Sequence, residues 1–174
     1  SNGTATGTGS GVLFSGVKLI TNGHVVSYQG SLPAQCTIKF PDETISYLIL
    51  PGAITLAPAG VDAAFIEIVN ATPYLKNLAS GVAARCAVAP AIGDGIVILG
   101  YPSIGSATGI TATEGIVSGT DGNYFITSAK VERGNSGGAA ILSQKNCYLG
   151  IPSFVDVGSI EALARILDQS LLVY

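Results

Sequence analysis

The segment GNSGG, residues 134–138, has the composition of a nucleophile loop. It places Ser136 in a turn crowded with glycines, directly before the apolar run AAIL. Attack on an amide requires a nucleophilic hydroxyl, a base that takes its proton and backbone N–H groups directed at the developing oxyanion. Small flanking residues leave room for all three. An ordinary glycine-rich hairpin turn has the same composition, so this segment alone leaves both interpretations open.

The chain has one histidine, His24, and it is the candidate general base. It follows the apolar run LIT, residues 19–21, where the end of a predicted strand can hold an imidazole. The order along the chain excludes two hydrolase classes. In α/β-hydrolases the acid and the histidine follow the serine, whereas His24 precedes Ser136. In subtilisins an acid precedes the histidine, but residues 1–23 contain no Asp or Glu.

The order His, acid, Ser leaves eight candidates for the acid that orients the base: Asp42, Glu43, Asp62, Glu67, Asp94, Glu114, Asp121 and Glu132. Asp62 is favoured because it begins the apolar run DAAFIEI, and a carboxylate at the start of a buried strand needs a hydrogen-bond partner. Asp42 and Asp94 are interpreted as turn residues. A simple cap at the start of the strand is the alternative role for Asp62.

The elements that must position these residues are predicted to be strands. The 174 residues, 48% of them hydrophobic and 11% charged, can bury one core, so we expect a single domain over 1–174. About ten apolar runs alternate with turn residues, which predicts an all-β fold. Asp-Gly at 121–122 and Ser-Gly at 15–16 predict hairpins, and residues 71–91 are interpreted as the connection between two groups of strands.

The chain is expected to end in a helix over 159–174, because Ser159 can cap the run IEALARILDQSLL, whose apolar residues share one helical face. Composition alone fits a β-sandwich about as well as a pair of barrels.

Charge, hydropathy and cysteines restrict the partners. A net charge of −3 and dispersed basic residues predict no binding to nucleic acid. Apolar runs stop well short of the roughly 18 residues of a transmembrane helix, so no membrane insertion of this domain is expected. Cys36, Cys86 and Cys147 lack metal-type CxxC spacing and are interpreted as buried small hydrophobic residues, or as one disulfide with one thiol left over. We expect no metal and no cofactor.

The runs GSGVLF, LITNGHVV, VDAAFIEI, ERGNSGGAAI and YLGIPSF, in this order, resemble the trypsin-like (chymotrypsin-fold) serine peptidases, especially the bacterial HtrA/Deg-type protease domains. The resemblance extends from about Gly9 to the end of the chain. It implies two six-stranded antiparallel β-barrels, over about 1–80 and about 88–158, with the C-terminal α-helix packed on them. It further implies a serine endopeptidase that acts on proteins or peptides.

The resemblance also assigns roles to residues. His24, Asp62 and Ser136 would form the catalytic triad, and the N–H groups of Gly134 and Ser136 the oxyanion hole. Ser153 would line the substrate-binding site and contact Asp62.

Substrate contacts would also come from Lys130 at the floor of the specificity pocket, and from Phe154 and Val155 in one of its walls. Without an acid at the floor, and with Val155 narrowing the entrance, a small or medium aliphatic residue is expected on the acyl side of the cleaved bond. Asn135 stands where pancreatic-type enzymes carry the aspartate that pairs with a new N-terminus, so no activating cleavage is expected.

The resemblance says less about the context of the domain. HtrA-type proteins typically carry a PDZ domain, which does not follow Tyr174 in this sequence, so the oligomeric state is not inferred. Residues 1–11 lack the character of a signal peptide, and an extracytoplasmic location is expected from the resemblance only.

The sequence allows three other functional interpretations. GTGSG, residues 7–11, suggests a phosphate loop, but a strand follows it and no GK[ST] is present. Lys130 could act as the base of a Ser-Lys dyad, which leaves the sequence contexts of His24 and Asp62 unexplained. The alternative from another class is a protease-fold binding or structural module with weak or no activity.

Overall fold

The computed structural model describes residues 7–41, 45–81, 83–102, 109–153 and 163–173. Within these ranges the chain forms twelve strands, two α-helices and two short 3-10 helices. All of the apolar runs predicted as strands form strands, so the all-β class is confirmed. None of the helices in these ranges has the length and apolar character needed to cross a bilayer.

The first half of the chain contains six strands: β1 Val12–Phe14, β2 Lys18–Thr21, β3 Cys36–Lys39, β4 Ser46–Ile49, β5 Ile54–Leu56 and β6 Ala64–Glu67. A short helix, α1 Gly23–Val26, follows β2. The strands form a four-stranded sheet in the order β1-β2-β6-β5 and a separate hairpin of β3 with β4. The hairpin predicted at Ser15-Gly16 is confirmed, since Phe14 pairs with Lys18 and Gly16 has a φ of +76°.

The second half contains six more strands: β7 Gly95–Gly100, β8 Thr111–Asp121, β9 Tyr124–Thr127, β10 Ala139–Leu142, β11 Cys147–Ser153 and β12 Ala164–Asp168. They close into an antiparallel barrel in the order β10-β11-β12-β9-β8-β7. The predicted hairpin at Asp121-Gly122 joins β8 to β9, with Asp121 opposite Tyr124. Closure leaves no strand edge exposed, which stabilises an all-β unit of this size.

The expected pair of six-stranded barrels is therefore met in the second half only. In the described part of the first half, β1 pairs with β2 alone and β3 with β4 alone. A cavity of about 810 Å³ lies between them, lined by Val12 and Leu13 of β1 and by Ile38 of β3 among others. Among the described residues, the four-stranded sheet and the hairpin are thus separate.

The predicted C-terminal helix over 159–174 is wrong for residues 164–168, which form β12, and Gln169–Leu171 form a 3-10 helix. Residues 159–162 lie outside the described residues. The physical reason is long-range pairing: β12 bonds to β11 on one side and to β9 on the other, and so completes the barrel. These tertiary contacts override a helical pattern that is only a weak local preference.

The connection between the halves contains an element that the sequence interpretation missed. Helix α2, Pro73–Ser80, begins at the N-cap Thr72, whose hydroxyl accepts a hydrogen bond from Leu75 N, and Pro73 occupies its first turn. Strand β5 was also not predicted. Both elements are short, and their apolar residues are too few to show a clear period.

The two halves pack against each other through a shared apolar cluster. Phe14 and Ile20 from the first half meet Tyr148 and Leu167 from the second, and the Phe14 and Tyr148 rings lie 5.0 Å apart in an edge-to-face arrangement. A disulfide between Cys86 and Cys147 ties the connection to β11, whereas Cys36 is a partly buried free thiol. The structure thus selects the disulfide from the two interpretations of the cysteines.

Candidate active site

His24 and Asp62 lie in direct contact. Strand β2 ends one residue before Asn22, and α1 then presents His24, while Asp62 lies just before β6. Because β2 pairs with β6, the two residues meet at the same end of the sheet. The distance from His24 Nδ1 to Asp62 Oδ2 is 2.7 Å, and the His24 backbone N–H donates to Asp62 Oδ1 at 3.0 Å. An imidazole held in this way keeps its proton on Nδ1 and presents Nε2 outward.

A buried amide contacts the same oxygen of the Asp62 carboxylate as the His24 ring does. Asn22 Nδ2 lies 3.1 Å from Asp62 Oδ2 and 2.9 Å from the Asp62 backbone oxygen. The same Nδ2 donates to Ser153 Oγ at 2.7 Å. Ser153, at the end of β11, is therefore connected to Asp62 through Asn22. The sequence interpretation expected a direct contact between Ser153 and Asp62 and assigned no role to Asn22.

The GNSGG segment forms two consecutive β-turns. Asn135 N–H donates to the Glu132 oxygen at 3.0 Å, and Gly138 N–H donates to the Asn135 oxygen at 2.9 Å. Gly134 and Gly137, with φ values of +97° and +87°, occupy the third position of each turn, where type II turns place a glycine. Gly137 also lies so close to Thr21 Oγ1 and to the Ser10 oxygen that a Cβ would collide with both. Ser136, at 5% exposure, sits at the second position of the second turn.

Ser10 joins this double turn to the first half of the chain. Its N–H donates to the Ser136 oxygen at 2.9 Å, and its Oγ donates to the Gly134 oxygen at 2.6 Å. Its own backbone oxygen accepts a hydrogen bond from Thr21 Oγ1 at 2.7 Å, at the end of β2. The strand that leads to His24 and the turn that carries Ser136 are thus bonded to the same residue.

The electrostatics of the pair favour an ionised acid. Burial raises the pKa of Asp62, but the hydrogen bond and the charge of His24, together with the backbone N–H groups of His24 and Gly23, outweigh burial and lower it. The charge of Asp62 is felt further away: burial first, and Asp62 second, raise the pKa of Tyr124, while Arg165 opposes them. A carboxylate that stays ionised can stabilise a neighbouring imidazolium.

A protein-family model matches most of the chain. The family model of the trypsin-like peptidase domain matches residues 9–151. This chain belongs to that family. The predicted membership of the chain in the trypsin-like serine peptidases is therefore confirmed.

Solved structures place this trypsin-like peptidase domain near the HtrA-type proteases. The HtrA-type protease AlgW with a decapeptide is 25% identical, with a TM-score of 0.71 over 94% of this chain. A serine endoprotease from Yersinia pestis, 24% identical with a TM-score of 0.64 over 98% of this chain, shares the fold. So does a protease from M. tuberculosis in its active form, which is 24% identical with a TM-score of 0.69 over 93% of this chain.

These neighbours are longer proteins: the chain spans 48% of AlgW, 57% of the Yersinia pestis endoprotease and 69% of the M. tuberculosis protease. A search among curated proteins gave no significant match.

The predicted specificity residues are only partly visible in the trypsin-like domain. Lys130 is exposed, and its backbone oxygen accepts a hydrogen bond from Thr113 Oγ1 at 2.6 Å. Ser153 is buried beside Asn22. Phe154 and Val155 lie outside the described residues. Within the described ranges, no group of three or more His, Cys, Asp or Glu side chains is arranged to hold a metal ion.

Sequence reasoning missed three polar residues that hold the site together: Ser10, Thr21 and Asn22. Each is buried, at 6%, 1% and 0% exposure. The sequence gives a weak indication of them. Each is a hydrogen-bonding residue beside an apolar run, and Thr21 and Asn22 lie directly before Gly23 and His24. A polar side chain in such a position needs an internal partner.

Proposed function

We propose that this domain is a serine endopeptidase that cleaves peptide bonds through an acyl-enzyme intermediate, with Ser136 as nucleophile, His24 as general base and Asp62 as the orienting acid. The contact of 2.7 Å between His24 Nδ1 and Asp62 Oδ2 carries the proposal. It fixes the tautomer in which Nε2 can accept a proton, as a base in a serine triad must. Family membership and the double turn around Ser136 support it.

The chemistry proceeds in two stages. Ser136 Oγ attacks the carbonyl carbon of the substrate and its proton passes to His24 Nε2, while the ionised Asp62 stabilises the imidazolium. The C–N bond then breaks, and His24 gives its proton to the departing amine. Water, deprotonated by His24, then attacks the Ser136 ester. The bond from the acyl carbon to Ser136 Oγ breaks, His24 returns the proton to Oγ, and the second product leaves as a carboxylic acid. No cofactor enters this scheme.

The oxyanion formed at each stage would be stabilised by the N–H groups of Gly134 and Ser136. The backbone supports this role for Ser136. In a trans peptide the N–H points away from the carbonyl of the preceding residue, and the Asn135 oxygen is occupied by the Gly138 N–H. The Ser136 N–H is therefore directed to the opposite side. Ser10, which bonds both the Gly134 and the Ser136 oxygens, holds the segment in this form.

The substrates would be proteins or peptides with a small or medium aliphatic residue on the acyl side. Lys130, an exposed residue, occupies the predicted floor of the specificity pocket, so this position has no buried carboxylate that could bind Arg or Lys of a substrate. An apolar pocket distinguishes Val, Ala and Leu by only about 1–3 kcal/mol per methylene. Profiling against a peptide library tests this. Dominant cleavage after Arg, Lys or large aromatic residues would contradict it, and dominant cleavage after Asp or Glu would implicate Lys130 as a substrate-binding residue.

An oxidising compartment is the location that we propose, periplasmic or secreted. The disulfide between Cys86 and Cys147 supports it, because disulfides persist in such compartments and are rare in the cytosol. Thiol labelling of protein taken directly from its native cells should modify Cys36 alone. Labelling of all three cysteines would contradict the proposed location.

Hydrolysis of a peptide amide by single variants tests the triad. Ser136→Ala and His24→Ala should each lower kcat by on the order of 10⁴- to 10⁶-fold, and the double variant should lose little more, because the residues act as a unit. Lys130→Ala is the control for a Ser-Lys dyad and should retain kcat. A wild-type protein without turnover would instead favour the binding or structural module, and losses confined to Lys130→Ala would replace His24 as the base.

A further inference from the structure

The side chain of Asn22 is fully buried directly before α1, at 0% exposure, and it touches two parts of the site. Its Nδ2 meets three oxygens, two on Asp62 and one on Ser153, at 2.7 to 3.1 Å. An amide nitrogen carries two protons. One proton can serve Ser153 Oγ while the two Asp62 oxygens share the other.

Asn22 and His24 bind the same carboxylate oxygen. Asp62 Oδ2 receives His24 Nδ1 at 2.7 Å and Asn22 Nδ2 at 3.1 Å, while Oδ1 receives the His24 backbone N–H. The plane of the carboxylate is therefore defined by donors from one short segment. A second donor on Oδ2 also draws negative charge from the atom that faces the imidazole.

The opposite end of the amide is unsatisfied. Among the described residues, Asn22 Oδ1 is a buried oxygen with no hydrogen-bond partner. Such an orphan acceptor costs stability that an apolar side chain of the same shape would not cost. A residue that served packing alone would do better without it, whereas a donor of two protons aimed at Asp62 and Ser153 requires an amide.

We propose that Asn22 is a positioning residue of the active site, which holds the Asp62 carboxylate in the plane that faces His24 and joins it to β11. The inference rests on the proposed function of the triad. The connection reaches the nucleophile, because the oxygen of Pro152, the neighbour of Ser153, accepts a hydrogen bond from Gly137 N–H at 3.2 Å. Asn22 thus links the acid of one half of the chain to the strand that supports the Ser136 turn of the other half.

Replacement of Asn22 by Leu removes the donors and the orphan oxygen together. Since the carboxylate is then less firmly oriented, we expect Asn22→Leu to lower kcat by about 10- to 100-fold with a smaller change in KM. The proton NMR resonance of the His24 Nδ1–H reports its hydrogen bond to Asp62 Oδ2. Because this bond weakens when the carboxylate is less firmly oriented, the resonance should move upfield or broaden in Asn22→Leu.

A second variant and a control accompany it. Asn22→Asp keeps the shape but replaces the donor with a carboxylate that repels Asp62, and it should move the same resonance in the same direction. Tyr47→Phe removes another part-buried hydrogen bond of the first half, to Thr72 Oγ1. It should lower the Tm slightly and leave kcat and the Nδ1–H resonance unchanged. Tyr124 on β9, whose pKa is raised by burial and then by Asp62, is the same in every variant.

The result that would overturn the proposal is an Asn22→Leu protein with wild-type kcat, or with an unchanged Nδ1–H resonance. If Asn22→Leu does not fold, an unchanged resonance in Asn22→Asp overturns it equally. The NMR measurement needs no turnover. A wild-type protein that does not hydrolyse substrate therefore refutes the proposed function, while the NMR measurement still decides the role of Asn22.

Discussion

At the scale of single residues, the proposed site depends on the Asp62 carboxylate, which is partly buried and therefore needs hydrogen-bond donors. Asp62 is surrounded by the His24 ring, two backbone N–H groups and Asn22. Its side chain is 30% exposed, and that of His24 is 49% exposed, so the pair lies at the surface rather than in the core. An accessible imidazole beside an oriented carboxylate is what the proposed function requires.

The choice of Asp62 as the acid can be tested by Asp62→Asn, which removes the charge and keeps the shape. Because the imidazole then adopts the wrong tautomer, we expect kcat to fall on the order of 10⁴-fold while the protein stays folded. Steady-state kinetics on a peptide amide provide the measurement. Near wild-type rates would transfer the role to Asp42 or Asp94.

The lowered pKa of Asp62 also predicts how stability depends on pH. A carboxyl with a folded-state pKa below its unfolded value, about 3.9, contributes stability that is fully present above that value. The contribution disappears as the pH falls through the lower folded-state pKa. Chemical unfolding at several pH values should therefore show the difference between wild type and Asp62→Asn shrinking below about pH 4. A difference that is constant from pH 7 to 3 would contradict the lowered pKa.

At the scale of elements, the double turn depends on glycines for two distinct reasons. Gly137 has a positive φ and also lies against Thr21 and Ser10, whereas Gly16 has a positive φ but open space around it. The two positions therefore separate backbone strain from close approach. In this comparison only the contacts differ.

Gly16→Ala should cost about 1–2 kcal/mol of unfolding free energy and leave activity intact, because only strain is added. Gly137→Ala should cost more than about 3 kcal/mol or displace the turn. A displacement of about 1 Å there should lower kcat by on the order of 10²-fold. Chemical unfolding and amide hydrolysis measure both. Equal effects of the two substitutions would show that the contacts of Gly137 are unimportant.

The sequence predicted elements where the pattern is local. Alternating apolar runs gave ten of the strands, and the glycines at 16 and 122 gave two hairpins correctly. Strand β12 was predicted as a helix because its pairing with β9 and β11 is long-range and produces no pattern in the local sequence. His24, Asp62 and Ser136 were predicted as site residues from chemistry, order and resemblance, and the first two lie in contact. Ser10 and Asn22 were not predicted, because their partners lie up to 131 residues away.

At the scale of the whole molecule, the proposed site draws on both halves of the chain. His24 on α1 and Asp62 before β6 belong to the first half, and Ser136, just before β10, belongs to the second. The shared apolar cluster and the hydrogen bonds of Ser10 hold the halves together. The disulfide stabilises the chain connection beside this joint, at a sequence separation of 61 residues.

Reduction of that disulfide should destabilise the domain. Closing a loop of this length contributes about 4 kcal/mol in the chain-entropy description, and measured losses are commonly about 2–5 kcal/mol. Thermal unfolding with and without reductant should show a fall in Tm, reproduced by Cys86→Ser with Cys147→Ser. Cys36→Ser is the matched control and should leave the Tm unchanged. An unchanged Tm in the double variant would mean that the bridge adds nothing to stability.

Labelling with a fluorophosphonate, followed by mass mapping of the modified peptide, tests whether Ser136 is a nucleophile activated by His24. The probe reacts with a serine hydroxyl only when a neighbouring base activates it. We expect one adduct, on Ser136, in the wild-type protein, and none in folded His24→Ala or Ser136→Ala. An unlabelled wild-type protein, an adduct on another serine, or labelling that persists in His24→Ala would contradict it.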